Sequence, residues 1–224
     1  MSAMAGAGNT KPRALGIVGD FYHPHAELRD FFLRAAPELE WTFERDPGRV
    51  DWTGLAAYSL LALSAENRVD PESSDALWMD EETGRRIADF VASGGGLLAH
   101  HSGLASYPEG GAYRRLLGGG FQFHPRAMVE FSVVPAAEHP LLAGIGAFSV
   151  SDEMYFVDRE PATTLALAVS ESPRYGSTSA AWLAERGLGR VACVCPGHRP
   201  EVLRGPSLAR LVGGAARWCA RPMS

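Results

Sequence analysis

The chain has 224 residues, 46% of them hydrophobic, with 21 Lys and Arg against 26 Asp and Glu, for a formal net charge of −5. That is ordinary globular composition with enough apolar material for a large core. It excludes a basic nucleic-acid-binding surface, because no basic run or stripe is present, and no apolar run approaches the roughly 18 residues that a membrane span needs.

Residues 1–12 are small and mostly polar, without the apolar stretch of a signal peptide. They are expected to form a disordered leader, with one domain following over residues 13–221. Residues 14–18 (ALGIV), stopped by Gly19-Asp20, read as a buried strand. Pro24 suits the first position of a helix. Leu28, Phe31, Phe32 and Ala35 then follow at i, i+3, i+4 and i+7, the spacing of one buried helix face. Residues 39–44 alternate as a second strand. Residues 58–63 (YSLLAL) are apolar without a break, as in a strand covered on both faces.

Asp80 is placed as a helix N-cap, with Glu81 and Glu82 facing the positive helix end. Ile87, Phe90 and Val91 form the inner face, and Gly94-Gly95-Gly96 stops the helix. Residues 97–100 are the next buried strand. This β-α-β-β-α-β order predicts an α/β, doubly wound, mostly parallel sheet with helices on both faces. After residue 120 the pattern becomes a β-rich extension, with strands expected at 128–134, 149–157, 163–169 and 180–185. These are read as antiparallel edge strands or an insertion. Residues 190–195 return to the main sheet, and a last helix starts near Pro206.

The three cysteines, Cys193, Cys195 and Cys219, form no disulfide framework. Cys193 and Cys195 share one strand face and are expected to be buried as small hydrophobes. A reducing cytoplasm is the expected compartment.

Ligands of open parallel sheets bind beyond the carboxyl ends of the strands. Those ends carry Asp20-Phe21-Tyr22-His23, His100-His101-Ser102 and Gly197-His198. Adjacent strand residues point to opposite faces, so His101, nearer the loop, is assigned to the site and His100 to the packing. His25 is expected to be solvent-exposed and His139 structural, in the EHPLLAG turn. His124 follows Gly118-Gly119-Gly120-Phe121-Gln122-Phe123, where the backbone turns tightly or approaches a ligand. Asp152-Glu153 before Met154-Tyr155 reads either as a polar turn with a core tyrosine or as a pocket-facing carboxylate. Ser102 lacks the GxSxG context of a nucleophile. A phosphate loop, a dinucleotide fingerprint and an HExxH helix are all missing from the sequence.

The ordered set GGGLLAHHSG, LLGGGFQFHP, EHPLLAGI, SDEMYF and GLGRVACVCPGH resembles the ThuA (trehalose-utilisation) family over about residues 13–221. The resemblance implies a flavodoxin-like fold of the class I glutamine amidotransferase kind. His101 stands where those amidotransferases carry their nucleophilic cysteine, so thiolate glutaminase chemistry is not expected. The doubled AHHSG histidine departs from the single histidine usual in the family. The resemblance implies a role in the metabolism of a disaccharide or its keto derivative, with His101, His124, Glu153 and His198 catalytic. Asp20, Tyr22, His23, Ser102, Phe121, Asp152 and Tyr155 complete the expected substrate-binding set.

Three neutral imidazoles and a carboxylate also suit Zn²⁺, with His101, His124 and His198 as the expected ligands. The alternative is a non-catalytic sugar-binding or regulatory module that stacks a sugar on Tyr22, Tyr107, Phe121, Phe123 and Tyr155. A third reading scatters the histidines, so that no two of His101, His124 and His198 share a cleft. The expected partner is a small-molecule sugar, with no nucleic acid or membrane, and an open sheet of this kind also suits a homodimer.

Overall fold

The computed structural model describes residues 11–220. Most of the expected leader therefore lies outside the described residues. The elements run β1 (Arg13–Val18), α1 (His25–Ala35), β2 (Glu40–Glu44), β3 (Leu60–Ser64), α2 (Glu81–Ala92) and β4 (Gly96–His100). They continue as α3 (Ala112–Leu117), β5 (Phe121–Phe123), β6 (Val129–Pro135), β7 (Phe148–Asp152), β8 (Phe156–Val157) and β9 (Leu165–Ser172). The chain closes with β10 (Gly176–Arg186), β11 (Gly189–Val194), α4 (Pro200–Leu203) and α5 (Pro206–Ala220).

Nine strands form one sheet in the order β2-β1-β3-β4-β11-β10-β9-β6-β7. The first five are mutually parallel. The expected β-rich extension is no separate insertion. Its strands β10, β9, β6 and β7 continue the same sheet in antiparallel sense.

Every residue of β3 and β4 is buried, which explains their unbroken apolar runs. Alternation divides them between two cores. Leu98 packs with Phe31, Phe32, Leu208 and Val212 of α1 and α5 on one face. Leu97 and Ala99 pack with Ile87 and Val91 of α2 and Leu117 of α3 on the other. Asp80 caps α2 as expected, its carboxylate accepting from the Thr83 N–H. Among the described residues, no helix is long and apolar enough to cross a membrane.

Two local expectations are corrected. Residues 149–157 are not one strand: pairing stops after Asp152 and resumes at Phe156, in a different sheet. His25 is half-buried, because its Nδ1–H donates to the Val18 carbonyl at 2.7 Å and ties the start of α1 to the end of β1.

The turn after β4 lies directly against β3. A Cβ on Gly103 would sit 2.1 Å from the Leu63 carbonyl oxygen, well inside contact distance. Gly103→Ala is therefore expected to cost about 2–3 kcal/mol by forcing the turn away from the sheet. Urea denaturation checks this through a lowered midpoint at unchanged slope.

Candidate active site

The site is assembled from the carboxyl ends of β1, β4, β7 and β11. His101 directly follows β4 and has φ +46°, a left-handed conformation that is uncommon for a residue with a Cβ. Such strain concentrates where a side chain must be aimed. Here it turns the ring off the sheet edge. The His101 Nδ1–H donates to the Cys195 carbonyl at 2.8 Å, so Nε2 is the end that faces the site. That nitrogen lies 3.3 Å from the Tyr155 hydroxyl and 3.5 Å from Glu153 Oε2. The Tyr155 ring stacks on His101 with centroids 4.4 Å apart.

His100 points the other way, as expected. It packs between Phe31 and Phe32, accepts from the Ser64 hydroxyl and donates to the Pro196 carbonyl. Burial pushes its pKa down to about 3, so it stays a neutral packing group.

His23 is aimed by Asp20. Its Nδ1–H donates to Asp20 Oδ1 at 2.6 Å, and its Nε2 lies 2.9 Å from His198 Nδ1. Asp20 also accepts from the Tyr22, His23 and Glu66 backbone N–H groups. Burial opposes its charge, but the hydrogen bond and charge of His23 and the Glu66 backbone N–H win, and its pKa falls to about 2.

His198 is held through its backbone. Asp152, fully buried, accepts from the N–H groups of Gly197 (2.7 Å), His198 (3.2 Å) and Arg199 (3.0 Å). A carboxylate that accepts three main-chain donors fixes a loop that has no ladder of its own.

Glu153, the next residue, sits in the break between β7 and β8 and collects the histidines. Its oxygens lie 3.5 Å from His101 Nε2, 3.6 Å from His124 Nε2 and 3.4 Å from His198 Nδ1. Burial works against charge on both Glu153 and His101, but their mutual attraction outweighs it. The glutamate is held below its ordinary pKa and His101 above its own. In His198 burial, joined by the neighbouring histidines, wins over Glu153 and lowers the pKa.

The pair of acidic residues thus splits. Glu153 faces the site, while Asp152 is consumed by the loop at 197–199 and is not left free for substrate. Asp20 is likewise consumed in positioning His23. Ser102 is buried at the elbow rather than standing open as a nucleophile.

His101, His124 and His198 do converge, on one carboxylate, so the scattered arrangement does not hold. The three ring nitrogens that cluster within 4.8 Å of one another, however, belong to His23, His101 and His198. His124, named with His101 and His198 as an expected ligand, is not part of that cluster. His124 approaches Glu153 from the opposite side, its Nδ1–H donating to the Pro125 carbonyl.

Of the aromatic residues, Phe121 packs on Tyr155 and His124, and Tyr22 and Phe123 stand on the exposed rim. Tyr107 and Tyr155 are buried, so the five do not form one stacking face. The triple glycine at 118–120 fits tightly around Arg114, Asp158 and Arg159, which is packing rather than close approach to a ligand. All three cysteines are buried thiols with raised pKa values, as suits a packing role.

The fold has solved counterparts. A ThuA-like protein from Parabacteroides merdae superposes with a TM-score of 0.71 at 16% identity, covering 94% of this chain and 90% of that one. A ThuA-like protein from Bacteroides uniformis gives 0.73 at 14% identity, covering 98% and 95%. A glutamine amidotransferase from Thermotoga maritima gives 0.62 at 10% identity, covering 95% and 100%, which fits the flavodoxin-like, amidotransferase-like architecture. No curated protein sequence matches the chain. The sequence itself matches the ThuA family, described as trehalose utilisation, over residues 23–219. With most of its length matched, the chain belongs to the ThuA family.

Proposed function

We propose that the protein processes a small carbohydrate, a disaccharide or its keto derivative, by proton transfer at Glu153 and the histidines around it. The observation that supports this reading best is the single carboxylate with three imidazoles within 3.6 Å, beyond the carboxyl edge of a parallel sheet. The sugar comes from the family's description.

Glu153 is poised as the base. On a keto-sugar it takes the proton α to the carbonyl, and the C–H electron pair moves into the adjoining carbon–carbon bond. The glycosidic C–O bond at the β position breaks in turn. His124, the most exposed of the three histidines around Glu153, donates a proton to the departing oxygen. The products are an unsaturated keto-sugar and an alcohol, and no water or redox partner enters.

The same site suits a divalent cation. A tetrahedral zinc ion places its ligand nitrogens roughly 3.3 Å apart, within the 2.9 Å and 4.8 Å separations found among His23, His101 and His198. The outer nitrogens of His23 and His101 are anchored on Asp20 and the Cys195 carbonyl, the support that metal-binding imidazoles need. A bound cation would supply polarisation of a substrate carbonyl. Zinc uptake by purified protein tests this: one ion per chain is expected. His23→Ala and His101→Ala should weaken uptake by about 10–100-fold, while His124→Ala retains it. Equal loss in all three would dissolve the assignment of the trio.

Incubation with trehalose and with a keto-disaccharide, followed by NMR of the sugar, tests the catalytic reading. New resonances with the keto-sugar, suppressed by His124→Ala, are expected. Binding without turnover, indifferent to His124→Ala, would leave a non-catalytic sugar-binding module instead.

A further inference from the structure

Beside the histidines, past the end of β3, stands a second polar group that the chemistry above does not use. Glu66 is nearly buried, and three donors converge on its Oε1: Arg68 Nε at 2.7 Å, Arg68 Nη2 at 2.6 Å and the Ser106 hydroxyl at 2.6 Å. Among the described residues no donor reaches Oε2, and that atom is not enclosed. One carboxylate oxygen is saturated and the other is left to whatever enters from solvent. Arg68 uses Nε and Nη2 on Glu66 and is 34% exposed, so its Nη1 edge stays available as a donor. Tyr22 is 49% exposed, and its ring lies 6.4 Å from that of His23.

The two groups are locked together. Asp20 takes the His23 imidazole N–H on Oδ1 and the Glu66 backbone N–H on Oδ2. The position of Glu66 is therefore fixed relative to the histidines by one side chain. An open carboxylate lone pair next to a guanidinium edge offers an acceptor and a donor side by side. Vicinal hydroxyls match that pair, since each hydroxyl both donates and accepts, and the exposed Tyr22 ring next to His23 can carry the apolar face of a sugar.

We propose that Glu66 and Arg68, with the Tyr22 ring, form a subsite for the hydroxyls of a second sugar ring, next to the ring that meets Glu153. This rests on the carbohydrate reading of the site and makes it specific for a disaccharide. A site built to hydrogen-bond hydroxyls discriminates strongly against a ligand that lacks them, because its buried polar groups are then left unpaired.

Calorimetric titration of the full chain with trehalose and with methyl glucoside tests it, each in plain and keto form. The wild type is expected to prefer the disaccharide by about tenfold or more. Glu66→Gln and Arg68→Ala should each erase most of that preference. Arg68 is partly exposed, so Arg68→Ala keeps the test alive if Glu66→Gln fails to fold. A purely structural role for the cluster would lower the melting temperature and leave the ratio of affinities where it was, and that result would overturn the subsite. Equal wild-type affinity for both sugars would overturn the subsite alone. No affinity for any of the four would overturn the subsite together with the carbohydrate reading.

Discussion

Glu153→Gln should abolish most turnover and leave the fold intact. The expected loss in kcat is about 10²–10⁴-fold, the usual contribution of a positioned acid or base. The amide keeps the shape of the carboxylate, so its fit among the histidine rings is preserved. Its charge goes, and with it the acceptor that faces His101, His124 and His198. Stability should change by less than about 1 kcal/mol. Burial already penalises the Glu153 charge, and in this structure its polar contacts are with the histidines rather than with the backbone. A product assay on the keto-disaccharide, run beside urea denaturation, separates the two effects. A variant that kept a tenth or more of the wild-type rate would take Glu153 out of the chemistry.

The fold was largely legible because its signals are strong and local. Unbroken apolar runs mark β3 and β4, which helices cover on both faces, and the Asp80 cap and the glycine stop bracket α2. The helix α1 shows its buried face at helical spacing. The strand-end rule brought out His23, His101 and His198, and it also points to Glu66 when applied to β3. What stayed hidden was set by tertiary contacts. Nothing in SDEMYF says that pairing ends at Asp152, because the cause lies 45 residues away in the backbone of the loop at 197–199. That His23 rather than His124 clusters with His101 and His198 could not be read from spacing, since it depends on how Asp20 turns His23. His25 looked exposed because its acceptor is the main chain of β1, which has no side-chain signature.

Asp152 is where the second large effect is expected, and here it falls on stability as well as function. Asp152→Ala leaves three main-chain N–H groups, those of Gly197, His198 and Arg199, without their acceptor in a place where water has little access. Leaving buried donors of a charged group unpaired costs about 3–5 kcal/mol in total. Asp152→Asn keeps one oxygen but turns an amide N–H₂ toward donors, so an intermediate loss is expected. The loop at 197–199 carries His198, so even the folded fraction should be impaired. Once released, His198 no longer sits 2.9 Å from His23 and 3.4 Å from Glu153. Zinc uptake and turnover should therefore both fall by more than the folded fraction accounts for. Urea midpoints and zinc titration at low temperature, on the same preparations, test both halves. An unchanged midpoint would show that water replaces the carboxylate without cost. A lowered midpoint with normal zinc affinity would show that His198 is placed by something other than Asp152. The expected result, loss of both together, ties the acidic pair to two roles on adjacent residues: one builds the loop that presents a histidine, and the other meets that histidine in the site.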